Sequence, residues 1–160
     1  MKRVRADGFY DLKRPAARRA ALSEGAALCY ESQKYTAATC LVACGIDALA
    51  GGKKKRYLRF LEDYFPDLCA GLGSRVFYEM YRNGIVHEFL FKQQYGIANN
   101  RETDGRYVED FQVEGKEGMI RCINVDRLVK DYLALVARWE FDRDAPTNSG
   151  TGGSSTAPSR

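Results

Sequence analysis

Apolar residues recur at helical intervals along most of this chain, and the segments they mark are divided by proline and glycine. Pro15 suits a first helical turn, and the alanine-rich stretch that follows to about residue 32 favours helix except at Gly25. Residues 34–50 are apolar on nearly every side and end at Gly51-Gly52, which predicts a central bundle helix. Tyr57, Phe60, Leu61, Tyr64 and Phe65 follow the i, i+3, i+4, i+7, i+8 pattern, predicting an amphipathic helix over 55–65 stopped by Pro66. Ser74 can cap a further helix, on which Phe77, Met80, Gly84, His87 and Phe91 share a face if the helix runs unbroken. The stretches RYVEDFQVE and GMIRCINV, flanking GKEG, predict a β-hairpin. Asn124 or Asp126 then caps a last helix with Leu128, Val129, Tyr132, Leu133, Val136 and Trp139 as its buried stripe. The expected fold is mainly α, an antiparallel helical bundle with a β-hairpin before the last helix.

The 160 residues support one domain with a single core, assigned to 1–144. Residues 145–160 are rich in Gly, Ser, Thr and Pro and are expected to be a disordered tail. The charged N-terminus lacks the apolar core of a secretory signal. The most apolar run, AATCLVACGIDALAGG, is short for a bilayer and contains Asp47, so no membrane partner is expected. Five cysteines, Cys29, Cys40, Cys44, Cys69 and Cys122, lie without paired spacing in apolar segments, as core residues of a protein from a reducing cytoplasm would. Cys40 and Cys44 share a helix face, but no second pair stands near them, so neither a metal nor another cofactor is expected.

Net charge is +4, with basic residues clustered at 2–19 and again at Lys53, Lys54, Lys55, Arg56 and Arg59. Such patches meet phosphates, although GGKKKR alone reads more readily as a solvated helix end; Lys53, Lys54, Lys55 and Arg56 are weak RNA-binding candidates.

The chain has one histidine, His87, in the stretch YRNGIVHEF. On an ideal α-helix residues five apart point about 140° apart, so Arg82 and His87 would be separated. Asn83-Gly84 is a turn signal, and a break there would swing the two side chains into one cleft. Imidazole moves protons near neutral pH and guanidinium holds phosphate oxygens, so the pair suits a phosphodiester. The plainer alternative is that His87 packs beside Met80 and Phe91 with Arg82 at the surface. Asn83 either orients His87 or contacts phosphate, or is simply a turn residue. Asp47 either pairs with Arg82, as a buried carboxylate requires, or faces solvent near its helix end. Glu88 points away from its neighbour His87 and is read as surface.

MYRNGIVHEF resembles the signature of the HEPN superfamily, helical bundles in which Arg, four to six residues, then His forms a metal-independent ribonuclease motif, often with a polar residue after the Arg. Arg82, Asn83 and His87 match those places. The similarity extends from about Ala37 to Phe91, with INVDRLVKDYLALV as a plausible final helix. It implies an endoribonuclease of a bacterial toxin or defence system, acting on RNA as a homodimer and paired in some systems with an antitoxin protein. Some HEPN toxins carry a tyrosine two places after the His, modified by a partner enzyme; here that place is Phe89, which argues against such control. A bundle that binds RNA or nucleotide, or docks a partner, without turnover is the alternative reading.

Overall fold

The computed structural model describes residues 15–88, 94–112, 114 and 117–144; the side chains of 85–88 and 140–144 fall outside the description, as does the expected tail at 145–160. Helix α1 (Pro15–Glu31) and helix α2 (Tyr35–Ala50) form an αα-hairpin. The turn between them is closed by Lys34 N–H donating to the Cys29 carbonyl at 2.8 Å, with Gln33 in the left-handed conformation (φ 58°) that usually calls for glycine.

Helix α2 ends at Gly51 and Gly52, whose φ values of 81° and 74° meet the need for left-handed backbone at a helix stop. Both glycine N–H groups donate to the Asp47 carbonyl. The chain then turns through 105° into α3 (Lys54–Tyr64). Pro66 does end α3, and it also opens α4 (Pro66–Leu72), a short helix that the apolar spacing did not announce. Ser74 does not cap the next helix by hydrogen bonding. Gly73 holds the cap position, and the Ser74 hydroxyl donates instead to Glu62 Oε1 at 2.7 Å. Helix α5 (Ser74–Phe77) runs directly into a π-helix, Tyr78–Glu88.

The expected hairpin is present as β2 (Val108–Gln112) and β3 (Met119–Asn124), antiparallel, with Glu109 opposite Cys122 and Phe111 opposite Ile120. A third strand, β1 (Tyr95–Ala98), pairs in parallel with β3, placing β3 at the centre of a three-stranded sheet. Asn124 caps α6 (Val125–Asp144): its Oδ1 accepts the Arg127 N–H at 3.1 Å. The buried Asn124 amide also donates to Thr103 Oγ1 at 2.8 Å and to the Arg106 carbonyl at 3.0 Å, fastening the 99–106 turn to the start of the helix.

The core lies between α2 and its neighbours and is built from Ile46, Tyr57, Leu61, Phe77, Tyr81, Leu128 and Tyr132, all fully buried. Each such side chain contributes about 1.5–3 kcal/mol on burial. Gly45 lets Tyr132 of α6 lie against α2: a Cβ there would stand 1.9 Å from the Tyr132 hydroxyl. No described helix is long and apolar enough to cross a membrane alone; α2 and α3 reach that length together only across their 105° bend.

Candidate functional site

The π-helix decides how the motif residues are arranged. Asn83 and Gly84 are weak α-formers, so this segment loses little by exchanging i→i+4 bonds for i→i+5 bonds. The expected break at Asn83-Gly84 does not occur: the helix passes through both residues, and Gly84 is buried. An i→i+5 ladder winds at roughly 4.4 residues per turn, so five residues advance by about 410°. Backbone positions 82 and 87 therefore lie about 50° apart around the axis rather than the 140° of an α-helix. The imidazole of His87 lies outside the described side chains.

Arg82 is held on two sides. Its Nη2 meets Asp47 Oδ2 at 2.8 Å, and its Nη1 donates to Asn83 Oδ1 at 2.9 Å. Asp47 thus takes the alternative in which it pairs with Arg82, and the pair is half-buried, each side chain 22% exposed. The hydrogen bond to Asp47 raises the guanidinium pKa further above its ordinary value. Asp47 can reach Arg82 because the glycine stop pins its backbone while α2 packs against the π-helix.

Tyr78, four residues before Arg82, sits beneath its guanidinium at 5.6 Å. Lys54 approaches the same ring at 5.1 Å, giving two cations on one aromatic ring. The Lys54 ammonium is also 3.3 Å from Glu79 Oε1, and that oxygen accepts from Arg75 Nε at 3.0 Å. Arg75 and then Lys54 hold the Glu79 carboxyl below the usual range. Tyr57 meets Tyr78 edge-on at 5.1 Å and donates to the Ala43 carbonyl at 3.3 Å.

All four residues of the basic run, Lys53 to Arg56, are exposed, and of them Lys54 stands beside the motif. Sequence reasoning had not singled out Tyr78 or Glu79. The i, i+4 spacing of Tyr78 and Arg82 was the available signal.

Cys40 and Cys44 lie one turn apart on α2, both half-buried. The neighbouring Cys44 thiol lowers the Cys40 thiol to about 7, and Cys44 itself, which feels both Arg82 and Asp47, is raised by its neighbour and by burial. Of the five cysteines Cys122 is buried and the other four are half-buried, with Cys29, Cys40 and Cys69 packed against the core. Among the described residues no group of three or more His, Cys, Asp or Glu side chains is placed to hold a metal.

A groove of about 780 Å³ lies elsewhere, between α1 and the start of α6, lined by Tyr30, Glu31, Asn100, Asp126, Lys130 and others, and it contains none of the motif residues. No protein-family model, curated protein or solved structure matches this chain, so the family resemblance rests on the motif and the residues around it alone.

Proposed function

We propose that this chain is a metal-independent endoribonuclease in which Arg82 and His87 act on one RNA phosphodiester. The observation that supports this reading best is the π winding, which places backbone positions 82 and 87 on the same side of the helix. In the proposed reaction the RNA 2′-hydroxyl attacks its own phosphorus and the 5′-oxygen leaves, giving a 2′,3′-cyclic phosphate. His87 moves the proton and Arg82 stabilises charge on the phosphorane oxygens. Asp47 and Asn83 hold the guanidinium in place before substrate arrives, and Lys54 adds a second cation for a neighbouring phosphate. A homodimer would bring two copies of His87 to one strand, and a toxin or defence role with a cognate antitoxin is the biological setting the motif suggests.

The test is cleavage of total RNA by wild-type and His87→Ala protein with EDTA present, followed by end-group analysis. Cleavage by the wild type alone, leaving 2′,3′-cyclic ends, is the expected result. Equal cleavage by both proteins, or a strict Mg²⁺ requirement with 5′-phosphate ends, overturns the reading.

One observation favours the rival, a helical module that binds RNA or nucleotide, or docks a partner, without turnover. Both terminal nitrogens of Arg82 already have partners within the protein. Salt-sensitive RNA binding without any cleavage would be its signature.

A further inference from the structure

Lys54, the cation assigned to a phosphate beside the scissile one, already has an anion. Its ammonium stands 3.3 Å from Glu79 Oε1, and the same oxygen accepts from Arg75 Nε at 3.0 Å. The two donors come from different helices, Lys54 from the first turn of α3 and Arg75 from α5, yet they converge on one carboxylate oxygen. A phosphate oxygen is an acceptor of the same kind, and ammonium and guanidinium both bind it through charge-assisted hydrogen bonds.

This cluster adjoins the motif. Lys54 and Arg82 lie 5.1 and 5.6 Å from the centre of one ring, that of Tyr78. Their separation is therefore at most about 11 Å, and phosphates of one strand follow at about 3.4 Å of helix axis, so a strand with one phosphate on Arg82 carries another within reach of Lys54.

The side chains of Glu79, Lys54 and Arg75 are 37%, 47% and 76% exposed, open enough for a strand to approach. Ion pairs so well hydrated hold weakly, and a carboxylate in them exchanges readily for another anion. Asp47, half-buried against Arg82, is not open in this way.

We propose that Lys54 and Arg75 form a phosphate subsite for the RNA strand, next to the scissile phosphodiester, and that Glu79 is its resident anion, displaced when the strand binds. Glu79 thereby sets how tightly RNA is held. The subsite rests on the reading of Arg82 and His87 as a site for RNA, but binding to it requires no turnover. Removing the Glu79 carboxylate releases two cations at once, so the gain in affinity depends on both of them. A general loss of negative charge would act alike wherever an exposed acid is removed.

The probe is a fluorescent 2′-O-methyl RNA oligonucleotide, which lacks the attacking hydroxyl and stays intact; its binding to the full chain is read by anisotropy over a series of salt concentrations. Glu79→Gln should tighten binding about three- to tenfold, the contribution of one or two exposed ion pairs. Asp63→Asn removes the same charge from an exposed acid that also faces an arginine, Arg59 at 3.8 Å, and should change binding by less than about twofold. Lys54→Ala should weaken binding and flatten the dependence of log Kd on log salt by about 0.7, the slope of one phosphate on a single strand. With Lys54→Ala and Arg75→Ala in place, Glu79→Gln should give no gain. Melting curves check that each variant is folded.

Equal tightening by Glu79→Gln and Asp63→Asn, or a Glu79→Gln gain that survives the loss of Lys54 and Arg75, overturns the subsite. So does an affinity that Glu79→Gln leaves unchanged, or no binding by any of these proteins, with cleavage of unmodified RNA then deciding the reaction separately. Wild-type protein that binds in the expected pattern but leaves unmodified RNA uncut would instead count against the ribonuclease reading, the subsite standing by itself.

Discussion

Asp47 and Arg82, 35 residues apart in the chain, meet at 2.8 Å through Oδ2 and Nη2 at the junction of α2 and the π-helix. With 22% of each side chain exposed, neither charge is fully hydrated, and each depends on the other. Replacing one leaves its partner poorly compensated, so Asp47→Ala and Arg82→Ala should each lower stability by about 1–3 kcal/mol, the cost of leaving a desolvated polar group without its partner. Urea denaturation checks this. The double variant should cost less than the sum of the singles, since the orphaned charge is then gone. In the ribonuclease reading, Asp47→Ala should reduce cleavage less than Arg82→Ala, because Asp47 acts through the guanidinium rather than on phosphate.

Gly45 offers a sharper packing test. The Tyr132 hydroxyl occupies the space a side chain would need, with a Cβ falling 1.9 Å from the oxygen and 2.4 Å from Cζ. Gly45→Ala should therefore destabilise by about 1–3 kcal/mol or more, the cost of overpacking, although alanine favours helix. Adding Tyr132→Phe should restore only part of the loss, because the ring carbon still crowds the methyl group. A neutral or stabilising Gly45→Ala in thermal denaturation would contradict this packing.

The α1–α6 contact carries a pH signature. Tyr30 donates its hydroxyl to Asp126 Oδ1, and Asp126 Oδ2 accepts the Asn100 N–H. That hydrogen bond, then burial, raises the Tyr30 pKa to about 12. A phenol whose pKa is higher in the folded state than its ordinary value of 10.0 contributes stability that is complete below pH 10 and lost as pH rises through about 12. Tyr30→Phe should thus be less stable than wild type at pH 8, with the gap closing between pH 10 and 12. Stability curves of the two proteins that stay parallel across that window would rule this bond out as the cause.

One histidine per chain makes the proposed chemistry countable. Attack and departure call for a base and an acid, which two protomers would supply from two copies of His87. Wild-type and His87→Ala chains refolded together at constant total protein should cleave RNA in proportion to the square of the wild-type fraction. A linear decline would assign the whole reaction to one chain.

The helices were legible because their information is local. The Tyr57, Phe60, Leu61 spacing and the Gly51-Gly52 stop are written in neighbouring residues, and the helices they predict are present. The β2–β3 hairpin likewise follows from its own alternation and turn. Strand β1 escaped notice because its four residues, Gly96 among them, carry no pattern of their own; their pairing comes from β3, where Gly96 admits the Cys122 sulfur.

Around the motif the division is similar. That a carboxylate in the most apolar helix needs a cation could be argued from burial alone, and Arg82 was a candidate on that ground. Meeting it depends on how α2 packs against the π-helix, and the approach of Lys54 to Tyr78 depends on the 105° turn after Gly52, which no residue spelling conveys. The i→i+5 winding is less legible still, since Asn83 and Gly84 weaken an α-helix without saying what replaces it.

The π-helix also makes the segment 78–88 tolerant of a one-residue change in length. Four residues of an α turn advance by about 400° and five of a π turn by about 410°, so removing one residue from a π turn returns it to an α turn with the downstream chain rotated by only about 10°. The approach to the sheet, where β1 is paired to β3 and the Gly96 carbonyl accepts from the Tyr81 hydroxyl at 2.8 Å, would be kept. A deletion between Arg82 and His87 would leave their backbone positions four apart on an α turn, about 40° from each other, close to the separation the π winding gives them. Variants of this segment should accordingly differ in number of residues as well as in spelling.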